Sequence, residues 1–110
     1  MKKRDIFHIL LLFIFITSAS LNASGEEGEK MTDNIHWLGH DTFKIVGEKV
    51  IYTDPFQIKK KDTADIILIT HEHRDHCSAA DVEKVSGSKT VIIATPDCAA
   101  KLSGDIRLIK

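Results

Sequence analysis

The sequence predicts an α/β fold in which an antiparallel β-hairpin leads into a parallel sheet. Short runs rich in β-branched and aromatic residues recur as Ile35-His36-Trp37-Leu38, Phe43-Lys44-Ile45-Val46, Val50-Ile51-Tyr52-Thr53, Asp65-Ile66-Ile67-Leu68-Ile69-Thr70 and Val91-Ile92-Ile93-Ala94. Two segments with helix-start signals fall between and after the later runs, beginning at Ser78 and Thr95. The order is therefore β-hairpin, then β-loop-α-β-α-β, which implies parallel later strands joined by right-handed crossovers.

At 110 residues the chain has room for one domain at most. Its first 23 residues read as a secretory signal peptide: a basic start (Lys2, Lys3, Arg4), an apolar core from Ile9 to Ile16, and small residues around Thr17 to Ser20. That core falls well short of the roughly 20 residues a membrane span needs. No stable anchor is expected after cleavage, and the protein should be exported to the periplasm or beyond the cell. Residues 24–34 are polar, acidic and rich in Gly and Ser, and read as a flexible leader. The folded part begins at Ile35 and continues to Lys110, a core that is marginal by itself.

Within that part, the Phe43 run alternates apolar and polar residues, as a half-buried strand does. Gly47-Glu48 then turns the chain into the Val50 run, and Asp54-Pro55 stops it, because proline removes a ladder donor. Four consecutive aliphatics at Ile66 to Ile69 suit a strand covered on both faces. Ser78-Ala79-Ala80-Asp81 has the form of a helix N-cap with an acidic first turn; Val82 and Val85 give the helix an apolar side, and Gly87 ends it. Pro96 opens a second helix, Gly104 closes it, and Asp105 starts a last strand.

Charge excludes little. Without Lys2, Lys3, Arg4 and Asp5, 12 basic and 15 acidic side chains remain, a net of −3. No basic stripe interleaved with aromatics points to nucleic acid, and Lys59-Lys60-Lys61 reads as a solvated turn. The two cysteines, Cys77 and Cys98, do not make a disulfide framework. They read as ordinary buried thiols, with a mutual bridge, which export permits, and a ligand role for Cys77 as alternatives.

The chemistry concentrates in His71-Glu72-His73-Arg74-Asp75-His76, directly after a buried strand. In parallel α/β sheets, sites gather at the carboxyl ends of strands. In an extended segment residues two apart point the same way, so His71 and His73 can close on one metal. Asp75 and His76, where the chain turns, would aim at a second position beside it. Imidazole with carboxylate suits zinc, with iron or manganese possible. The H-E-x-x-H helix of metalloproteases does not fit, because Asp75 stands four residues after His71. A P-loop at Gly87-Ser88-Lys89-Thr90 lacks its first glycine, and no G-x-S-x-G elbow occurs.

The pattern His71-x-His73-x-Asp75-His76 resembles the signature of the metallo-β-lactamase superfamily. Upstream, Ile35-His36-Trp37-Leu38-Gly39-His40-Asp41-Thr42-Phe43 and Thr53-Asp54-Pro55-Phe56 are similar to the opening strands of one branch, the metal-dependent hydrolases similar to L-ascorbate-6-phosphate lactonase. The resemblance runs from Ile35 to Lys110. It implies the N-terminal half of a four-layer αββα sandwich holding one or two metals, usually zinc. It makes His71 and His73 ligands of the first metal, and Asp75 and His76 ligands of the second. Asp54 becomes a supporting residue behind the site, and His40 a candidate for its mouth.

Hydroxide held on metal would attack an ester, lactone, amide or phosphoester of a small-molecule substrate, with Asp75 orienting it and moving its proton. The family completes its site with a histidine, a bridging aspartate and a final histidine from the second half, and only His8, His36 and His40 remain outside the cluster here. The expectation is thus a truncated domain, weak or inactive alone. The alternative is a non-enzymatic metal-binding half-domain needing self-association or a complementing C-terminal half.

Overall fold

The computed structural model describes residues 30–109. The signal peptide and nearly all of the leader lie outside them. A 3₁₀ turn at Met31–Asn34 leads into β1 (Ile35–Gly39), β2 (Thr42–Val46), β3 (Val50–Thr53) and β4 (Ile66–Leu68). Helix α1 (Ala79–Val85), β5 (Val91–Ala94), the single-turn helix α2 (Pro96–Ala99) and β6 (Asp105–Leu108) follow.

The six strands form one sheet in sequence order. The β1–β2 and β2–β3 pairs are antiparallel, and the three later pairs are parallel, as the order of elements predicts. Because β2 runs against β3, the β1–β2 turn lies at the same end of the sheet as the carboxyl ends of β3, β4 and β5. That end carries the candidate site.

One face of the sheet holds the core. Tyr52, Ile67 and Ile92 point to this side and pack with Val82 and Val85 of α1 and with Ile58, Ala64 and Cys98. On the other face Ile35, Ile45, Ile51, Ile66 and Val91 align across five strands, and Trp37, Phe43, Thr53, Leu68 and Ile93 align beside them. These side chains are half-buried or exposed. The all-aliphatic β4 run therefore differs from expectation: among the described residues it is buried on one face only.

Two elements end sooner than the sequence suggests. β4 stops at Leu68 because the Thr70 amide leaves the ladder to donate to the Asp54 carboxylate at 2.8 Å. α2 ends at Ala99 and unwinds through turn bonds from Lys101 N to Cys98 O and from Leu102 N to Ala99 O. The N-cap of α1 stands where Ser78 and Asp81 place it: the Ser78 hydroxyl donates to Asp81 Oδ2 at 2.7 Å.

Asp81 does more than start the helix. It is buried and accepts from the amides of Gln57 (3.0 Å) and Ile58 (2.9 Å) and from Lys84 Nζ (3.0 Å). Burial opposes its charge, yet the Ser78 and Lys84 hydrogen bonds and these amides hold its carboxyl below the usual range. The loop after β3 is thereby tied to α1.

The reading of Cys77 and Cys98 as free thiols is corrected. They form a disulfide with Cα atoms 6.0 Å apart, joining the segment after the histidine cluster to α2. Both follow neighbouring parallel strands and emerge at one end of the sheet, a proximity that two cysteines 21 residues apart do not announce.

Candidate metal centre

The cluster forms on the loop between β4 and α1. Thr70 to Ser78 has no regular structure, but it turns tightly, with the amides of His76 and Cys77 both donating to His73 O at 2.9 and 2.7 Å. This turn brings His71, His73 and His76 together. His71 Nε2 lies 3.1 Å from His73 Nδ1, and the rings of His71 and His76 are 4.0 Å apart.

The foundation of the loop is Asp54, 2% exposed and in the left-handed region at φ 39°. Aspartate tolerates that conformation better than most residues, and such outliers persist where their surroundings enforce them. Here the Asp54 amide donates to Leu68 O at 2.9 Å, and its own carbonyl accepts from Thr42 Oγ1 at 2.7 Å. Its carboxylate accepts from Thr70 N, Thr70 Oγ1 (2.7 Å) and His76 Nδ1 (2.8 Å).

A carboxylate on one imidazole nitrogen fixes the tautomer and leaves the other nitrogen free as a donor to metal. His76 Nε2 accordingly faces outward, 3.4 Å from Asp41 Oδ2 and 3.6 Å from Asp75 Oδ2. The Asp54 hydrogen bond raises the His76 pKa; burial opposes this, and the charges of Asp54, Asp75 and Asp41 reinforce it. The Thr70 hydroxyl lies 2.9 Å from His71 Nδ1 and orients that ring in the same way, leaving Nε2 for a ligand.

The donors fit a divalent metal. Two donors on one tetrahedral zinc lie about 3.4 Å apart, given bond lengths of about 2.0–2.1 Å. The His71–His73 and His76–Asp75 separations bracket that value. All four residues of the H-x-H-x-D-H pattern are thus gathered at one end of the sheet, with Asp54 behind them.

His40 is placed differently. Its ring stands edge-on to Phe56 at 5.0 Å, and its carbonyl accepts from the Trp37 indole at 2.8 Å. Its neighbour Asp41, which the sequence reading passed over, is the one whose carboxylate joins Asp75 and His76. The signal was available: the turn between antiparallel strands lies at the end of the sheet where the motif must lie. A cleft of about 740 Å³, lined by residues including Trp37, Lys44, Tyr52 and Asp62, contains none of the cluster residues in its lining.

The sequence pattern described as "Beta-lactamase superfamily domain" matches residues 34–107. The chain belongs to this superfamily. A UPF0173 metal-dependent hydrolase from Thermococcus onnurineus is 42% identical over 52% of this chain and 30% of its own length. Another, from Thermodesulfovibrio yellowstonii, is 33% identical over 86% of this chain and 36% of its own. The crystal structure of a metal-dependent hydrolase from Parabacteroides distasonis aligns with a TM-score of 0.57 at 32% identity, covering 66% of this chain and 36% of that one. The chain spans about a third of the length of these relatives. Its six-stranded sheet with few helices is part of a metallo-β-lactamase superfamily fold, and the family implies a metal cofactor.

Proposed function

We propose that this chain forms the metal-binding side of an exported hydrolase that cleaves an ester, lactone, amide or phosphoester in a small molecule. The observation that carries the reading is the Asp54–His76 pair, which aims His76 Nε2 at the Asp75 carboxylate beside the His71–His73 pair.

His71 and His73 would hold one metal, and Asp75 and His76 a second. Zinc suits these donors, with iron or manganese as alternatives. A bound divalent metal lowers the pKa of water to about 7 and polarises an acyl or phosphoryl oxygen. Asp54 keeps the proton on His76 Nδ1, so that Nε2 stays free. The exposed Asp75 carboxylate orients the attacking water and carries its proton toward the leaving group.

Export is supported by the N-terminal sequence pattern and agrees with the Cys77–Cys98 disulfide, since disulfides persist in oxidising compartments. Among the described residues, no helix is long and apolar enough to cross a membrane. Absence of a basic, aromatic stripe argues against nucleic acid as substrate.

The partly exposed apolar sheet face favours a second reading, a metal-binding half-domain that acts only when covered by another sheet. Metal content of the purified chain after dialysis at neutral pH tests the common ground of both. Retained zinc that His71→Ala or His73→Ala removes supports a metal centre, and its complete absence overturns it. Hydrolysis of chromogenic esters, lactones, anilides and phosphodiesters by the metal-loaded chain favours the enzyme; metal without turnover favours the half-domain.

A further inference from the structure

We infer that Asp41 is a metal ligand, forming with Asp75 and His76 a three-donor site contained within this chain. The inference rests on the proposed metal centre and adds a residue that the H-x-H-x-D-H pattern does not supply.

The distances have the spacing of a coordination shell. One ligand atom from each of the three residues lies within 4.8 Å of the others. The His76 Nε2 separations from Asp41 Oδ2 and Asp75 Oδ2 are 3.4 and 3.6 Å, against about 3.4 Å for two donors on a tetrahedral ion. Two carboxylates and one imidazole leave a fourth position open, the arrangement of a catalytic rather than a closed structural site.

The turn that presents Asp41 is fixed although its side chains are exposed. Gly39 at φ 108° and His40 at φ 50° bend the backbone after a register shift in the β1–β2 ladder, and Gly39 again pairs with Thr42. The Trp37 indole donates to His40 O at 2.8 Å. The Thr53 hydroxyl donates to Asp41 O at 3.2 Å and accepts from Phe43 N at 3.1 Å. Three separate contacts therefore hold Asp41 over the end of β3, next to the loop that carries Asp75 and His76.

Electrostatics point the same way. Asp41 and Asp75 both face His76 while Asp54 grips its far side. With His76 neutral, three carboxylates surround one uncharged ring, and a divalent cation among Asp41, Asp75 and Nε2 offsets their repulsion. Metal titration separates this arrangement from a direct ion pair between His76 and the two carboxylates.

The experiment titrates the metal-free purified chain with Co²⁺, follows its visible absorption, and then displaces the cobalt with zinc. It compares wild type, Asp41→Asn, and Glu48→Gln, which removes a charge from the opposite end of the hairpin. Thermal unfolding confirms that each variant folds. Asp41→Asn should weaken cobalt binding roughly tenfold or more and alter the absorption bands, while Glu48→Gln changes neither. Equal binding and identical spectra for wild type and Asp41→Asn would overturn the inference while leaving the metal centre standing. No saturable binding by wild type would overturn both.

Discussion

His76 Nδ1 and Asp54 Oδ2, 2.8 Å apart, join the histidine loop to the end of β3 through a buried carboxylate that also captures both the amide and the hydroxyl of Thr70. One side chain thus ends a strand, shapes a loop and sets an imidazole tautomer. The pair has a pH signature in the metal-free protein. Because the folded pKa of His76 is raised, the pair's contribution to stability is fully present below its ordinary value of 6.5. It is lost as pH rises through the raised value.

Asp54→Asn should bring the His76 titration back down, since the amide carries no charge and its single oxygen cannot accept from Thr70 N and from His76 Nδ1–H together. It should also cost about 1–3 kcal/mol by leaving buried groups unpaired. Proton NMR titration of the histidines and urea unfolding check this. A His76 titration identical in wild type and variant would remove the pair from the explanation.

Asp75 sits where loss of function and loss of stability part company. Its side chain is 53% exposed, so Asp75→Ala should change unfolding free energy by no more than about 0.5 kcal/mol. In an assembly that turns over substrate, the same change should lower kcat roughly a hundredfold or more with little effect on KM. Steady-state kinetics beside thermal unfolding separate the two effects. An unchanged kcat would deny Asp75 its proton-transfer role.

The sheet was legible because its signals are local. The Gly47-Glu48 turn and the Ser78–Asp81 cap each act within a few residues and stand where their chemistry puts them, whereas the alternation around Phe43 marks the strand but not its buried side, since Phe43 is exposed and Lys44 aligns with buried Tyr52. The motif was legible for the same reason, since His71 to His76 lie on one loop. The missed features are non-local. Asp41 reaches His76 only because β2 runs against β3, and Cys77 meets Cys98 only because β4 and β5 are parallel neighbours. The early stop of β4 likewise depends on a carboxylate 16 residues upstream of Thr70.

The disulfide closes the chain between the histidine loop and α2. Loop-closure entropy for a span of 21 residues corresponds to about 3 kcal/mol of stabilisation in the unfolded-chain model. Both sulfurs are buried, so reduction should be slow in the folded state and fast once the protein opens. The urea midpoint should therefore fall on reduction, and the Cys77→Ser, Cys98→Ser double variant should match the reduced protein. Reductant should leave that variant unmoved. Equal midpoints for oxidised and reduced wild type would show that the link adds nothing beyond packing.

The apolar face opposite α1 makes a different demand. Six strands at about 4.8 Å spacing present a surface about 24 Å wide. It carries Trp37 at 67% and Phe43 at 39% exposure, besides aliphatic rows in the middle of the sheet. Such a surface is expected to pair with a second apolar sheet, and in the purified chain the available one belongs to another copy. Trp37, the single tryptophan, reports on this directly. Its emission should shift to the blue as concentration rises and sedimentation velocity shows growth in mass. Phe43→Lys should suppress both changes while leaving the far face, with Tyr52 and α1, intact. A monomer with constant emission across a hundredfold range of concentration would refute self-association through this face.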